Sequence, residues 1–146
     1  PEKTAATFVE LDGDRWVLTG DLATVEADGT IALLGRGSGC INTGGEKVFP
    51  EEVEAVLKSH PDVYDVVVVG ADDERWGQRV VALVQPATGS SPDAASLVEH
   101  ARTGLAGYKV PKQVVFVDEV VRSPAGKPDH RWAKERAEKA AEAAES

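Results

Sequence analysis

The sequence predicts an α+β fold: a strip of β-hairpins over residues 1 to 37, then, over 38 to 146, a compact domain with a central β-sheet flanked by helices. Three observations predict it. Short β-prone runs broken by Asp-Gly dipeptides fill the first third. Two valine-rich runs, from Val63 to Gly70 and from Val80 to Val84, are too apolar for exposed strands and read as central strands with at least one face covered. Segments with apolar residues three and four apart stand on either side of them in the chain and read as the covering helices.

In order, Thr7 to Leu11 and Arg15 to Leu18 flank Asp12-Gly13, and Ala23 to Glu26 and Thr30 to Leu34 flank Asp28-Gly29, which together predict a small antiparallel meander. Thr19-Gly20-Asp21-Leu22 falls between the two hairpins as a turn. Gly35-Arg36-Gly37-Ser38-Gly39 has no side chain suited to anchoring a core and is the expected linker. A strand-like run from Cys40 to Thr43 enters Gly44-Gly45-Glu46-Lys47. Pro50 then opens a helix with Val53, Val56 and Leu57 on one face, stopped near His60 by Pro61. Ser91-Pro92-Asp93 predicts a second helix start, with proline in the first turn and Leu97, Val98, Ala101 and Leu105 on one face. Lys112 to Val117 is a further strand, Ser123 to Pro128 a loop, and the tail from Asp129 a helix expected to fray, since after Trp132 it offers only alanines to bury.

With 42% hydrophobic and 28% charged residues in 146, the composition is that of a globular chain with a Val-, Leu- and Ala-based core. The formal charge of −9 repels phosphate backbones and anionic lipid, which argues against nucleic-acid and membrane-surface partners. No apolar run approaches the roughly 20 residues of a bilayer span. The lone Cys40 rules out an internal disulfide framework and fits a reducing, cytoplasmic compartment. The chain contains no methionine and opens at Pro1, and the expectation is a piece of a longer protein.

Taken singly, the candidate motifs each admit two readings. Asp21 is either a turn residue or a carboxylate able to accept hydrogen bonds from a vicinal diol such as ribose. Gly44-Gly45 is either a tight turn or a place where a ligand approaches bare backbone. Lys127, held between small residues and prolines, is either a solvated surface lysine or a point charge for phosphate or carboxylate oxygens. The glycines from Gly35 to Gly39 have neither P-loop nor dinucleotide-site spacing. His60, His100 and His130 are too dispersed to suggest a metal site, and Cys40 has no adjacent base and reads as a core residue.

Order and spacing add what no single motif carries. Thr19-Gly20-Asp21-Leu22, Gly35-Arg36, the stretch from Ile41 to Glu54 containing Gly44-Gly45-Glu46-Lys47-Val48-Phe49-Pro50, Tyr108-Lys109-Val110-Pro111-Lys112 and Ser123-Pro124-Ala125-Gly126-Lys127 together resemble the C-terminal stretch of acyl-CoA synthetases in the adenylate-forming superfamily. The stretch from Gly37 to Pro50 looks most like the fatty-acyl-CoA ligases. The resemblance covers nearly the whole chain.

It implies that residues 1 to 37 end a large AMP-binding domain and that 38 to 146 form the mobile C-terminal domain of an ATP-dependent ligase, which adenylates a carboxylic acid and then transfers the acyl group to CoA. Carried over by motif, Asp21 and Arg36 would bind the nucleotide, Ser38 would stand at the hinge, and Lys127 would be the catalytic lysine at the carboxylate and α-phosphate. Gly44, Gly45 and Glu46 would line the pantetheine path, with Tyr108 and Lys109 near the CoA nucleotide. The ATP-phosphate loop, the adenine pocket and the acyl tunnel belong upstream, so ATP and its Mg2+ would be held mainly by that large domain and the isolated chain would be inactive. The chain departs from the family pattern at Ser38, where Asp or Lys is usual, and at Pro128, where a branched aliphatic is common. A ligase loading a carrier protein, or a non-catalytic α+β binding or regulatory module, are the alternative readings.

Overall fold

The computed structural model describes residues 8–11, 14–17, 21–25, 27–29, 31–36 and 40–145. The chain divides into two compact units, Pro1–Ser38 and Gly39–Ser146.

In the first unit, β1 (Phe8–Leu11) pairs antiparallel with β2 (Asp14–Val17), and β3 (Asp21–Val25) with β4 (Ile31–Arg36). Among the described residues they form two two-stranded sheets instead of the expected meander. Asp21 and Leu22 belong to strand β3 and not to a turn, because β4 runs on through Gly35 and Arg36 to pair with them. The expected linker therefore loses its first two residues to a strand, and its remainder, Gly37 to Gly39 with the hinge candidate Ser38, lies outside the described residues.

The second unit is built on a five-stranded sheet in the order β6-β5-β8-β7, with β9 also paired to β8. Its strands are β5 (Ile41–Thr43), β6 (Glu46–Val48), β7 (Val63–Asp73), β8 (Gly77–Pro86) and β9 (Gln113–Phe116). β8 lies in the middle: β7 runs antiparallel along one edge, from Val63↔Pro86 to Asp73↔Gly77. The other edge is shared by β5, at Thr43↔Gly77, and by β9, which pairs in parallel from Val81↔Gln113 to Val84↔Phe116.

Three helices cover the sheet: α1 (Pro50–Lys58), α2 (Ala94–Gly104) and α3 (His130–Glu145). The twofold side-chain alternation of a strand sorts the valines between two cores. Val66, Val68, Val80, Ala82 and Val84 pack with Val53 and Leu57 of α1 and Leu97 and Ala101 of α2. Val67, Val69, Val81 and Leu83 face the other way, onto Ala133 and Ala137 of α3.

Two expectations are corrected here. Among the described residues β7 pairs only with β8, so it is an edge strand, and Val66 to Val69 are buried because both faces are covered. The alanines of the tail are the docking face of α3: Ala133 and Ala137 have no exposed surface, since a methyl side chain lets the helix backbone lie close on the sheet.

The second helix also begins two residues later than Pro92 suggested, at Ala94. Asp93 is itself the N-cap, its Oδ1 accepting the Ser96 N–H at 2.8 Å, and Pro92 precedes it. Replacing Asp93 by alanine is expected to cost about 1 kcal/mol, read as a lower urea midpoint. An unchanged midpoint would show that the cap contributes nothing.

Candidate functional site

Of the residues assigned by motif, those in the second unit fall at both ends of its sheet. At one end, Gly44 (φ 58°) and Gly45 (φ 85°) form the two-residue turn between β5 and β6. Two successive positive φ values are the requirement of a type I′ hairpin, which favours glycine at both positions. This turn is stitched to the β7–β8 hairpin: the Gly44 N–H donates to the Trp76 carbonyl at 2.9 Å, and the Asn42 N–H to Gln78 Oε1 at 3.0 Å.

Trp76 has no role in the motif reading, yet it shapes this end. Asp73 Oδ1 accepts the Arg75 and Trp76 N–H groups at 2.9 and 3.0 Å, which fixes the turn that carries the indole. A Cβ at Gly44 would sit 2.9 Å from Trp76 Cε3, so the indole lies directly on the glycine hairpin. Trp76 nevertheless remains 39% exposed, which leaves part of the ring open to a ligand. The Arg75 guanidinium carbon lies 4.8 Å and Lys112 Nζ 5.6 Å from the ring centroid. The available signal was a tryptophan flanked by Arg75 and Gly77 between two strand-like runs.

Tyr108 and Lys109 lie on a single 3-10 turn, Gly107–Lys109, beside β6. Tyr108 is exposed, whereas Lys109 Nζ is engaged by both carboxylate oxygens of Glu52 at 2.9 and 3.0 Å. Glu46 is exposed beside the glycine turn.

At the other end, residues 122 to 128 form a tight hairpin. Arg122 and Pro128 form a bridge, the Ser123 N–H donates to the Lys127 carbonyl at 2.8 Å, and the Gly126 N–H to the Ser123 carbonyl at 2.8 Å. Gly126 adopts φ 83°, where an L side chain would be strained. Lys127 projects from this hairpin exposed, and its ammonium has no ion-pair partner among the described residues.

The hairpin is fastened to the start of β7 through Arg122 and Asp65, and the glycine turn to the far end through Trp76. About 25 Å of strand separates the two attachment points. Asp21 and Arg36, assigned to the nucleotide, are register partners across β3–β4. Among the described residues no group of three or more His, Cys, Asp or Glu is placed to hold a metal ion, and no helix is long and apolar enough to cross a membrane.

The model of the AMP-binding enzyme C-terminal domain matches residues 52–127. The chain belongs to this family. Its relatives include a medium/long-chain-fatty-acid–CoA/3-oxocholest-4-en-26-oate–CoA ligase of Mycobacterium marinum, 60% identical over 94% of this chain and 25% of the relative. A 3-oxocholest-4-en-26-oate–CoA ligase of Rhodococcus rhodochrous is 58% identical over 92% of this chain and 24% of its own length. Among solved structures, apo MatB from Rhodopseudomonas palustris superimposes with a TM-score of 0.80 at 34% identity, over 92% of this chain and 26% of that one. The Mycobacterium tuberculosis fatty acyl CoA synthetase gives 0.72 at 34% identity, over 96% and 27%. The chain thus spans about a quarter of the length of the curated relatives it matches.

Proposed function

We propose that the chain is the C-terminal portion of an ATP-dependent acyl-CoA ligase acting on a fatty or similarly apolar carboxylic acid. The observation that carries this reading is the placement of Lys127 and the Gly44-Gly45 turn at opposite ends of one sheet. A single reaction centre cannot meet both at once, but a domain that reorients between two half-reactions presents them in turn.

In the adenylating half-reaction, the acid's carboxylate oxygen attacks the α-phosphorus of ATP and pyrophosphate leaves. Lys127 supplies a mobile positive charge where negative charge develops on the carboxylate and α-phosphate. Asp21 accepts the ribose hydroxyls and Arg36 assists at the ribose or phosphate. In the second half-reaction the CoA thiol takes the acyl group and AMP leaves. The bare backbone at Gly44 and Gly45, with Glu46 beside it, lines the pantetheine path. The exposed face of Trp76, with Arg75 and Lys112 beside it, and Tyr108 offer flat and cationic surfaces to the CoA nucleotide. Lys109 acts there only as part of its pair with Glu52.

Residues 1 to 37 are read as the end of the large domain, Ser38 as the hinge, and the Mg2+ accompanying ATP as held by the nucleotide and that large domain. The names of the relatives, fatty-acid– and oxocholestenoate–CoA ligases, favour a bulky apolar acid and free CoA as acceptor. The protein is placed in the cytoplasm.

The test is a product assay of the polypeptide carrying this chain with its large domain, given ATP, Mg2+ and a series of fatty acids, with either CoA or a pantetheinylated carrier protein. Acyl-CoA, AMP and pyrophosphate in equal amounts are expected with CoA. Transfer to the carrier alone would favour the carrier-loading alternative, and no adenylation of any acid would overturn the ligase reading.

A further inference from the structure

One cluster of ionised groups reaches the Lys127 hairpin from the body of the domain. Asp65, near the start of β7, is held by Arg122 in a two-pronged pair: Nε donates to Oδ2 and Nη2 to Oδ1, both at 2.7 Å. Lys58 Nζ stands 3.2 Å from the same Oδ1, and the Val66 N–H donates to it at 2.8 Å. Burial pushes the Asp65 carboxyl up, but the hydrogen bonds from Arg122, Val66 and Lys58 outweigh it and hold the group below its ordinary range. The carboxylate is therefore a fixed anion under working conditions.

The free prong of the guanidinium points into the hairpin. Arg122 Nη1 donates to the carbonyl of Gly126 at 3.0 Å, and Gly126 is the residue immediately before Lys127. A planar guanidinium makes these three bonds at fixed angles, which an ammonium on a flexible stem does not. The hairpin's own bonds close the loop but do not attach it to the sheet: those donated by the Ser123 and Gly126 N–H groups run between loop residues.

We propose that Arg122, braced by Asp65, is a positioning residue for the adenylation half-reaction: it anchors the Gly126 carbonyl to the sheet and so sets the direction in which Lys127 leaves the hairpin. This rests on the role given to Lys127 above. The chemistry requires it because a lysine stem has four rotatable methylenes and starts from an exposed turn, so its only fixed reference is its own backbone. A displacement of about 1 Å at a reacting group is enough to lower a rate by about a hundredfold.

The experiment compares Arg122→Gln, Arg122→Lys and Lys127→Ala in the polypeptide that contains both domains, with each half-reaction read separately. Adenylation is followed by ATP–pyrophosphate exchange, and thioester formation from supplied acyl-adenylate and CoA. Arg122→Gln is expected to lower the exchange kcat by about 10- to 100-fold, with the KM for ATP and the thioester rate within about twofold of the parent. Arg122→Lys should fall between, since an ammonium can keep Asp65 but not the fork to Gly126.

A merely structural pair would move both half-reactions together with the melting temperature, and that result overturns the proposal. So does unchanged exchange in Arg122→Gln while Lys127→Ala abolishes it. If Lys127→Ala itself leaves exchange intact, it is the role of Lys127 that fails. Should Arg122→Gln not fold, Asp65→Asn carries the same test: exchange lowered with thioester formation kept supports the proposal, and both kept or both lowered overturns it.

Discussion

Replacing Lys127 by alanine is expected to lower ATP–pyrophosphate exchange by about two to three orders of magnitude, the usual cost of removing one preorganised group from the site of developing charge. The loss should be clean. Lys127 is exposed and unpaired among the described residues, so its removal leaves no buried partner stranded and the melting temperature should stay where it is. The thioester half-reaction, assigned to the glycine turn at the other end of the sheet, should be much less affected. Arginine should not rescue exchange, because a planar fork does not reproduce a compact charge on a flexible stem. If exchange and thioester formation are both normal in the alanine variant, the lysine is a solvated surface residue and nothing more.

How much of this was legible in the sequence depended on the range of the forces involved. The valine runs of β7 and β8 and the faces of α1 and α2 were readable because their periodicity is local and their burial obeys it. The Gly44-Gly45 turn was readable as well, since two positive φ values leave a direct mark in residue type. By contrast, β6 is three residues long, Glu46 to Val48, of which only Val48 is buried, and so leaves no pattern to find. That β7 lies at an edge, and that β9 pairs in parallel, are decided by partners far along the chain. The α3 alanines were misjudged by equating core with large side chains, when close approach of a helix calls for small ones.

The site divides in the same way. Lys127 and the glycine turn stand out through order and spacing, but the Asp65–Arg122 pair joins residues 57 apart in sequence and has no motif. Trp76 has no part in the motif reading, and only the 2.9 Å approach of a Gly44 Cβ to its ring reveals that it backs the glycine hairpin. Asp21 and Arg36 are register partners, a relation that a turn at Asp21 and a linker at Arg36 would have concealed.

The edge position of β7 leads to a second large effect, this one on stability. The outward N–H groups of an edge strand need partners. At two positions in β7 they are supplied by carboxyl groups: Asp65 Oδ1 takes the Val66 N–H, and Glu54 Oε1, reaching from α1, takes that of Val68 at 3.0 Å. Burial pushes Glu54 up to about 7 from 4.5, aided by the neighbouring Glu51, while the Val68 hydrogen bond, Lys58 and Arg122 pull the other way.

The folded state thus holds this proton up to about pH 7, whereas the unfolded chain releases it near 4.5. Between those values the folded state binds more protons, so stability falls as pH rises through the window and levels off above it. The full shift corresponds to at most about 3 kcal/mol, less where solvent reaches the carboxylate. Glu54→Gln keeps an oxygen for Val68 and removes the ionisation. It should therefore melt about 5–10 °C above the parent chain at pH 8 and together with it near pH 4. Asp65 works in the opposite sense, its contribution being lost as pH falls through its depressed value, but it is common to both chains and cancels in the difference. A melting difference that is the same at both pH values would show that Glu54 carries no excess proton in the folded state.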